Sequence, residues 1–262
     1  MTDVQSLPEN LPSVDDQPRA RASATTDTLT DWEVALEGSF QRYMAEGQRE
    51  ILLKTHARAK TPGLLIDFGC GPGRWTKLLM DLGWEAICLD IDASSLGRCQ
   101  ATNPRAKCIH SSHGLHQLPA GDGEVALVIC IGVYRVLESD WFLPEVRRVL
   151  RPGGLLSGAF FNQMSGRGIY RSMMDKVFGG QNAYQQSYSV WRRRARRDGF
   201  RIVYERGYCW FPIPAFSNSP FVPFLTSLEK TCGLQRLPAL SPWVAFLAEF
   251  QGDLLSAADS AS

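Results

Sequence analysis

The run Leu64-Leu65-Ile66-Asp67-Phe68-Gly69-Cys70-Gly71-Pro72-Gly73 sets an acid and three alternate glycines at the end of an apolar stretch. Behind it, Trp75, Leu78, Leu79 and Leu82 fall at i, i+3, i+4 and i+7, the spacing of one helix face. The segment reads as buried strand, glycine turn and helix. In doubly wound folds that junction holds nucleotide-like ligands. A dinucleotide loop wants G-x-G-x-x-G, but Arg74 stands where the third glycine belongs. A pyrophosphate also seeks bare amides at a helix N-terminus, and Asp67 would repel it. A P-loop is excluded, because no Gly-Lys-Ser/Thr follows.

A ligand carrying positive charge suits the acid better. S-adenosyl-L-methionine offers an ammonium, a sulfonium and a carboxylate, and no phosphate. A second apolar run, Ile87-Cys88-Leu89-Asp90, also ends in an acid, 17 residues past Gly73. A carboxylate there can accept from two ribose hydroxyls, as in other nucleoside sites of this wiring. Asp92 competes for that role, but its position suits the N-cap of a helix beginning near Ala93. The competing structural reading is a tight turn whose glycines serve backbone geometry alone.

Two further blocks follow in order, Val125-Ala126-Leu127-Val128-Ile129-Cys130-Ile131-Gly132-Val133 and Glu145-Val146-Arg147-Arg148-Val149-Leu150-Arg151-Pro152-Gly153-Gly154-Leu155. With all four in place, the chain resembles the class I S-adenosylmethionine-dependent methyltransferases. Within them it is most similar to the small-molecule group that includes ubiquinone- and menaquinone-biosynthesis-type enzymes. The resemblance covers roughly residues 60–160 and, more loosely, 185–250. It implies an α/β, doubly wound, Rossmann-like seven-stranded sheet, mostly parallel with an antiparallel edge strand and helices on both faces. It assigns the methionine part to Asp67, Gly69, Cys70, Gly71 and Gly73, and the ribose to Asp90 and Ile91. The adenine edge falls to Ser112, His113 and Leu115, and the sulfonium side to Ile131, Gly132 and Val133. Relatives often carry an Asp after the third strand. Here Ser111-Ser112-His113-Gly114-Leu115-His116 has none, and Ser112 or His113 takes its place. After the fourth strand, Ile131-Gly132-Val133-Tyr134-Arg135 is unlike the Asn-Pro-Pro-Tyr of amino-methylating DNA enzymes.

The elements that must position these residues are legible from alternation. Strands are expected near 63–68, 84–90, 106–110, 124–131, 154–161, 200–205 and 242–250, and a helix from about Trp141 to Arg151. Strands alternating with helices imply a mostly parallel, two-faced sheet. Residues 1–29, rich in Pro, Ser, Asp and Thr, are expected to be disordered. Thr30-Asp31-Trp32-Glu33 has capping-box spacing and opens a single domain over 30–250. A leading helix follows with Phe40, Tyr43, Met44, Ile51 and Leu52, and 251–262 form a loose tail. Insertions at 162–188 and at the aromatic-rich 207–225 are expected above the strand C-termini. They read equally as an acceptor pocket or as a satellite core.

The 262 residues carry 44% hydrophobic content, enough for one sizeable core, and a net charge of +1 that signals neither nucleic acid nor an anionic membrane. Seven cysteines without a C-x-x-C pair point to a reducing compartment. With no leader-like segment visible, a cytoplasmic location is expected. No apolar run reaches the ~18 residues of a membrane span. His110, His113 and His116 follow no familiar zinc spacing, and no metal is expected. The basic run Arg192–Arg197 is the strongest charge cluster. An RNA-binding patch is the rival to a solvated helix face whose Trp191 and Ala195 turn inward.

The reaction expected is direct displacement of a sulfonium-bound methyl by a small-molecule acceptor. The leaving group is already activated, so positioning is the main task. A general base remains open among His113, His116 and Tyr134. The rivals are a non-catalytic partner subunit that keeps the fold, an RNA methyltransferase using residues 192–197, and a nicotinamide oxidoreductase.

Overall fold

The computed structural model of the chain describes residues 38–111, 116–178, 186–213 and 219–252. The expected disordered tail, the capping box at Thr30, and Ser112, His113 and Leu115 lie outside them. In chain order the elements are α1 (Ser39–Ala59), β1 (Leu64–Phe68), α2 (Arg74–Asp81), β2 (Glu85–Asp90), α3 (Ala93–Thr102) and β3 (Lys107–His110). Then come β4 (Val125–Cys130), α4 (Tyr134–Glu138), α5 (Phe142–Val149), β5 (Leu150–Phe161), α6 (Gly166–Phe178) and α7 (Tyr188–Arg197). The chain continues with β6 (Phe200–Tyr208), α8 (Phe221–Thr231), a short 3-10 turn at Leu234–Arg236 and β7 (Trp243–Phe250).

The seven strands form one sheet in the order β3-β2-β1-β4-β5-β7-β6. Pairings from β3 through β5 are parallel, and β7 runs antiparallel to both β5 and β6. The strand order reverses between β1 and β4, so the crevice above their C-terminal ends is the topological switch point.

Strand alternation divides the core. On one face β1 supplies Leu65, β2 Ala86 and Cys88, and β7 Trp243, Ala245 and Leu247. On the other they supply Ile66, then Ile87 and Leu89, then Val244, Phe246 and Ala248. Period-2 burial on both faces is what a sheet covered by helices on each side requires. Trp191 and Ala195 of α7 are buried against the second face, as their i, i+4 spacing predicts.

Two boundaries differ from expectation. The helix expected to reach Arg151 ends at Val149, and β5 begins at once with Leu150 paired to Val125. The register shifts between Val125 and Leu127, which accommodates Pro152-Gly153-Gly154 inside the strand. Pro there forfeits a ladder donor, and a bulge is where a sheet tolerates that. β6 extends to Tyr208, so the second insertion begins later than expected.

Candidate functional site

The glycine loop hangs from the ends of β1 and β2. Gly69 N and Cys70 N both donate to Leu89 O, at 2.7 and 3.0 Å. Gly69 has φ +77, and a Cβ there would meet Val133 Cγ2 at 2.0 Å. This close approach packs the loop after β4 onto the loop after β1, and only glycine permits it. Gly71, also left-handed at φ +52, has nothing within 4 Å of where its Cβ would stand. Gly132 after β4 is likewise open. The loop is therefore closed beneath Gly69 and open above Gly71.

Asp90 ends β2 beside that opening. Its Oδ2 accepts from Gly71 N at 2.7 Å and its Oδ1 from Asp92 N at 2.9 Å. A carboxylate has about four acceptor sites, so each oxygen keeps capacity for a hydroxyl while the loop is held. Asp92 caps α3, accepting from Ser94 N and Ser95 N, as its position in the sequence predicts.

Asp67 is 4% exposed and accepts from Thr76 Oγ1 at 2.6 Å. Burial pushes its carboxyl up to about 7, against the lowering effect of the Thr76 hydrogen bond. Asp67 is thus enclosed by protein and tied to α2 through Thr76. Thr76 and Asn103 are partners that sequence reasoning missed. Asn103 Nδ2 donates to Gly73 O at 3.1 Å and Cys99 O at 3.2 Å, tying the end of α3 to the loop. A polar residue off the apolar stripe, or one that simply ends a helix, gives no periodic signal.

The loop carrying His116 is anchored by α5. Arg148 donates to Leu118 O, Ala120 O and Asp122, and also binds Glu145, whose Oε2 accepts from Leu118 N. Hydrogen bonds from Arg148 hold the Glu145 carboxyl below its usual range. His116 is exposed, its ring 5.6 Å from that of Trp141. His110 is exposed, its Nε2 3.0 Å from Ile91 O, and Ile91 is itself 57% exposed at the crevice edge. Of the three candidate bases, only His116 has a described side chain.

Glu138, the last residue of α4, was not singled out by sequence. It is 8% exposed and its Oε1 has no hydrogen-bond partner. Burial lifts its carboxyl to about 7, moderated by Gln186 and Arg135.

Residues in and next to the insertion expected at 207–225 differ in burial. Tyr208, Cys209, Ile213 and Val222 join the core, whereas Phe221, Phe224 and Leu228 on α8 face outward. A buried carboxylate organises this end. Glu229 accepts from Tyr43 Oη at 2.5 Å, Gln235 Nε2 at 3.2 Å and Trp210 N at 3.2 Å. Desolvation raises both Glu229 and Tyr43. In the other insertion, α6 exposes Ile169, Tyr170, Met173, Val177 and Phe178. Apolar side chains thus remain uncovered on both helices.

Residues 66–157 match the family model described as a methyltransferase domain. A probable S-adenosylmethionine-dependent methyltransferase of Mycolicibacterium smegmatis is 34% identical over 95 residues, 35% of each chain. The match thus spans about a third of that relative's length. The structure is similar to magnesium protoporphyrin IX methyltransferase from Synechocystis, solved with bound S-adenosylhomocysteine. There the TM-score is 0.58 at 16% identity, covering 86% of this chain and 90% of that one. Geranyl diphosphate C-methyltransferase from Streptomyces coelicolor aligns with TM-score 0.56 at 13% identity over 80% of each chain. At such identities the likeness carries the fold.

Proposed function

We propose that the chain transfers a methyl group from S-adenosyl-L-methionine to a small, partly apolar acceptor, a reading supported by the match of residues 66–157 to the methyltransferase-domain family model. The observation that carries this reading is the loop from Gly69 to Gly73. It is pinned from below, open above Gly71, and flanked by an Asp90 carboxylate with acceptor capacity to spare. S-adenosylmethionine supplies a methyl on a sulfonium whose departure leaves a neutral thioether, so no residue need protonate the leaving group.

The chain's own residues bind and orient. Gly69, Cys70, Gly71 and Gly73 let the backbone approach the methionine part, with Asp67 biasing its amino end once the carboxyl ionises at about 7. Asp90 and Ile91 hold the ribose side. Ser112, His113 and Leu115 are proposed for the adenine edge. Ile131, Gly132 and Val133 border the sulfonium side. Holding reactants in attack geometry can supply on the order of 7–11 kcal/mol. The uncovered apolar side chains of α6 and α8 support an acceptor with a lipophilic part.

An RNA acceptor is less favoured. Arg192 pairs with Glu205 at 2.7 Å and Arg194 with Asp140 at 2.9 Å, so two cations of the basic run are already engaged. The test is calorimetric titration of S-adenosylmethionine, S-adenosylhomocysteine and NADH into the purified protein. Micromolar binding of the first two alone is expected. NADH binding in their place would restore the oxidoreductase reading, and no binding at all would restore the scaffold one.

A further inference from the structure

Beneath the glycine loop three buried cysteines converge from three different elements. Cys70 belongs to the loop itself, Cys88 to the centre of β2 and Cys99 to α3. Their Sγ atoms all lie within 4.8 Å of one another. They are 8%, 0% and 0% exposed. Cys108, the parallel partner of Cys88 on β3, is half-buried and stands outside this group. The sequence shows none of this, because the sulfurs come together only through strand pairing and the packing of α3.

We propose that Cys70, Cys88 and Cys99 form a binding site for a thiophilic cation, zinc(II) or copper(I). Thiolates bind such ions with metal–sulfur distances of about 2.3 Å, which places three sulfurs about 4 Å apart around a trigonal centre. A spread within 4.8 Å needs only a small contraction. The donor set is all sulfur, which selects soft ions over magnesium or calcium. Each thiol that coordinates gives up its proton, so binding releases protons to solvent. The surroundings supply polar support: Thr76 Oγ1 is 3.4 Å from Cys88 Sγ, and Asn103 Nδ2 is 3.9 Å from Cys99 Sγ.

The site abuts the backbone that would carry the methyl donor. Cys70 Sγ contacts Gly71 O at 3.4 Å, and a Cβ on Gly73 would meet Cys99 Sγ at 2.5 Å. Drawing Cys70 toward a cation moves the segment that Asp90 holds. Cation and adenosyl ligand therefore influence each other's affinity reciprocally. This coupling rests on the proposed reading of the loop, whereas the cation site does not.

The probe is cadmium(II), followed by zinc(II) in competition, titrated into the reduced, metal-free full chain without any adenosyl ligand. Thiolate-to-cadmium charge-transfer absorption should saturate at one cation per chain. Cys99→Ala should weaken binding by at least a hundredfold, and Cys232→Ser, altering the exposed cysteine, should leave it unchanged. Should Cys99→Ala fail to fold, alkylation of the wild type in denaturant sufficient to open the metal-free chain, with and without zinc(II), replaces it, and the metal should protect Cys70, Cys88 and Cys99 together. Absence of the absorption band, binding retained in Cys99→Ala, or protection confined to Cys232 would each overturn the site. A repeat with S-adenosylhomocysteine then reads the coupling: unchanged cadmium affinity with the ligand bound would overturn the coupling, and no ligand binding at all would count against the reading of the loop.

Discussion

Asp90 holds Gly71 N, and on the proposed reading it also holds the ribose, so its removal would take away both a loop restraint and a ligand contact. Asp90→Ala is expected to weaken S-adenosylhomocysteine binding by more than tenfold, measured by calorimetry. Unchanged affinity would refute the ribose assignment. Gly69 and Gly71 separate packing from ligand space. Gly69→Ala drives a methyl into Val133 and should cost at least about 1–3 kcal/mol of stability, the range for overpacking. Gly71→Ala meets no protein atom. Its cost is the left-handed backbone alone, roughly 1–2 kcal/mol, yet it fills the proposed crevice. Denaturant midpoints and calorimetry on the pair should show Gly69→Ala the less stable and Gly71→Ala folded but impaired in binding. The two acids were legible in the sequence because each ends an apolar run. Thr76, Asn103 and Glu138 were not, because a polar partner brought in by packing leaves no spacing to read.

At the scale of elements, the central strands were legible because both faces of the sheet are covered, so they read as continuous apolar runs. The missed boundary at Leu150 has a physical reason. The residues pattern as helix, but pairing with Val125 recruits Leu150 into β5, and tertiary pairing overrides propensity. The cap of α3 was legible and its consequence was not. Asp92 accepts from Ser94 N and Ser95 N, and the far end of the same helix delivers Asn103 to Gly73 O. Asp92→Ala should cost about 0.5–2 kcal/mol, as N-cap removal does. Because α3 buttresses the glycine loop, S-adenosylhomocysteine affinity should fall with it. A stability loss with affinity intact would mean that the loop is set by β1 and β2 alone.

Glu138 bears on the molecule as a whole, since a buried carboxyl without a partner for Oε1 enters the balance between folded and unfolded chain. It cannot easily leave its site by fraying. Trp191 Nε1 donates to Leu137 O at 3.0 Å and Gln186 Nε2 to Glu138 O at 3.1 Å, which fixes the last carbonyls of α4. Its carboxyl rises from the usual 4.5 to about 7 on folding. Between those values the folded chain holds a proton that the unfolded chain has released. Stability from this group is thus fully present below about 4.5 and is lost as pH rises through about 7. Asp67 titrates in the same direction, so the wild-type profile alone cannot isolate Glu138. Glu138→Gln keeps the shape and has no proton to lose. The difference in denaturation free energy between wild type and this variant should therefore shift in favour of the variant as pH rises from about 4.5 to about 7, then level off. A difference that stays constant across that window would show that Glu138 finds solvent or a cation in the folded state.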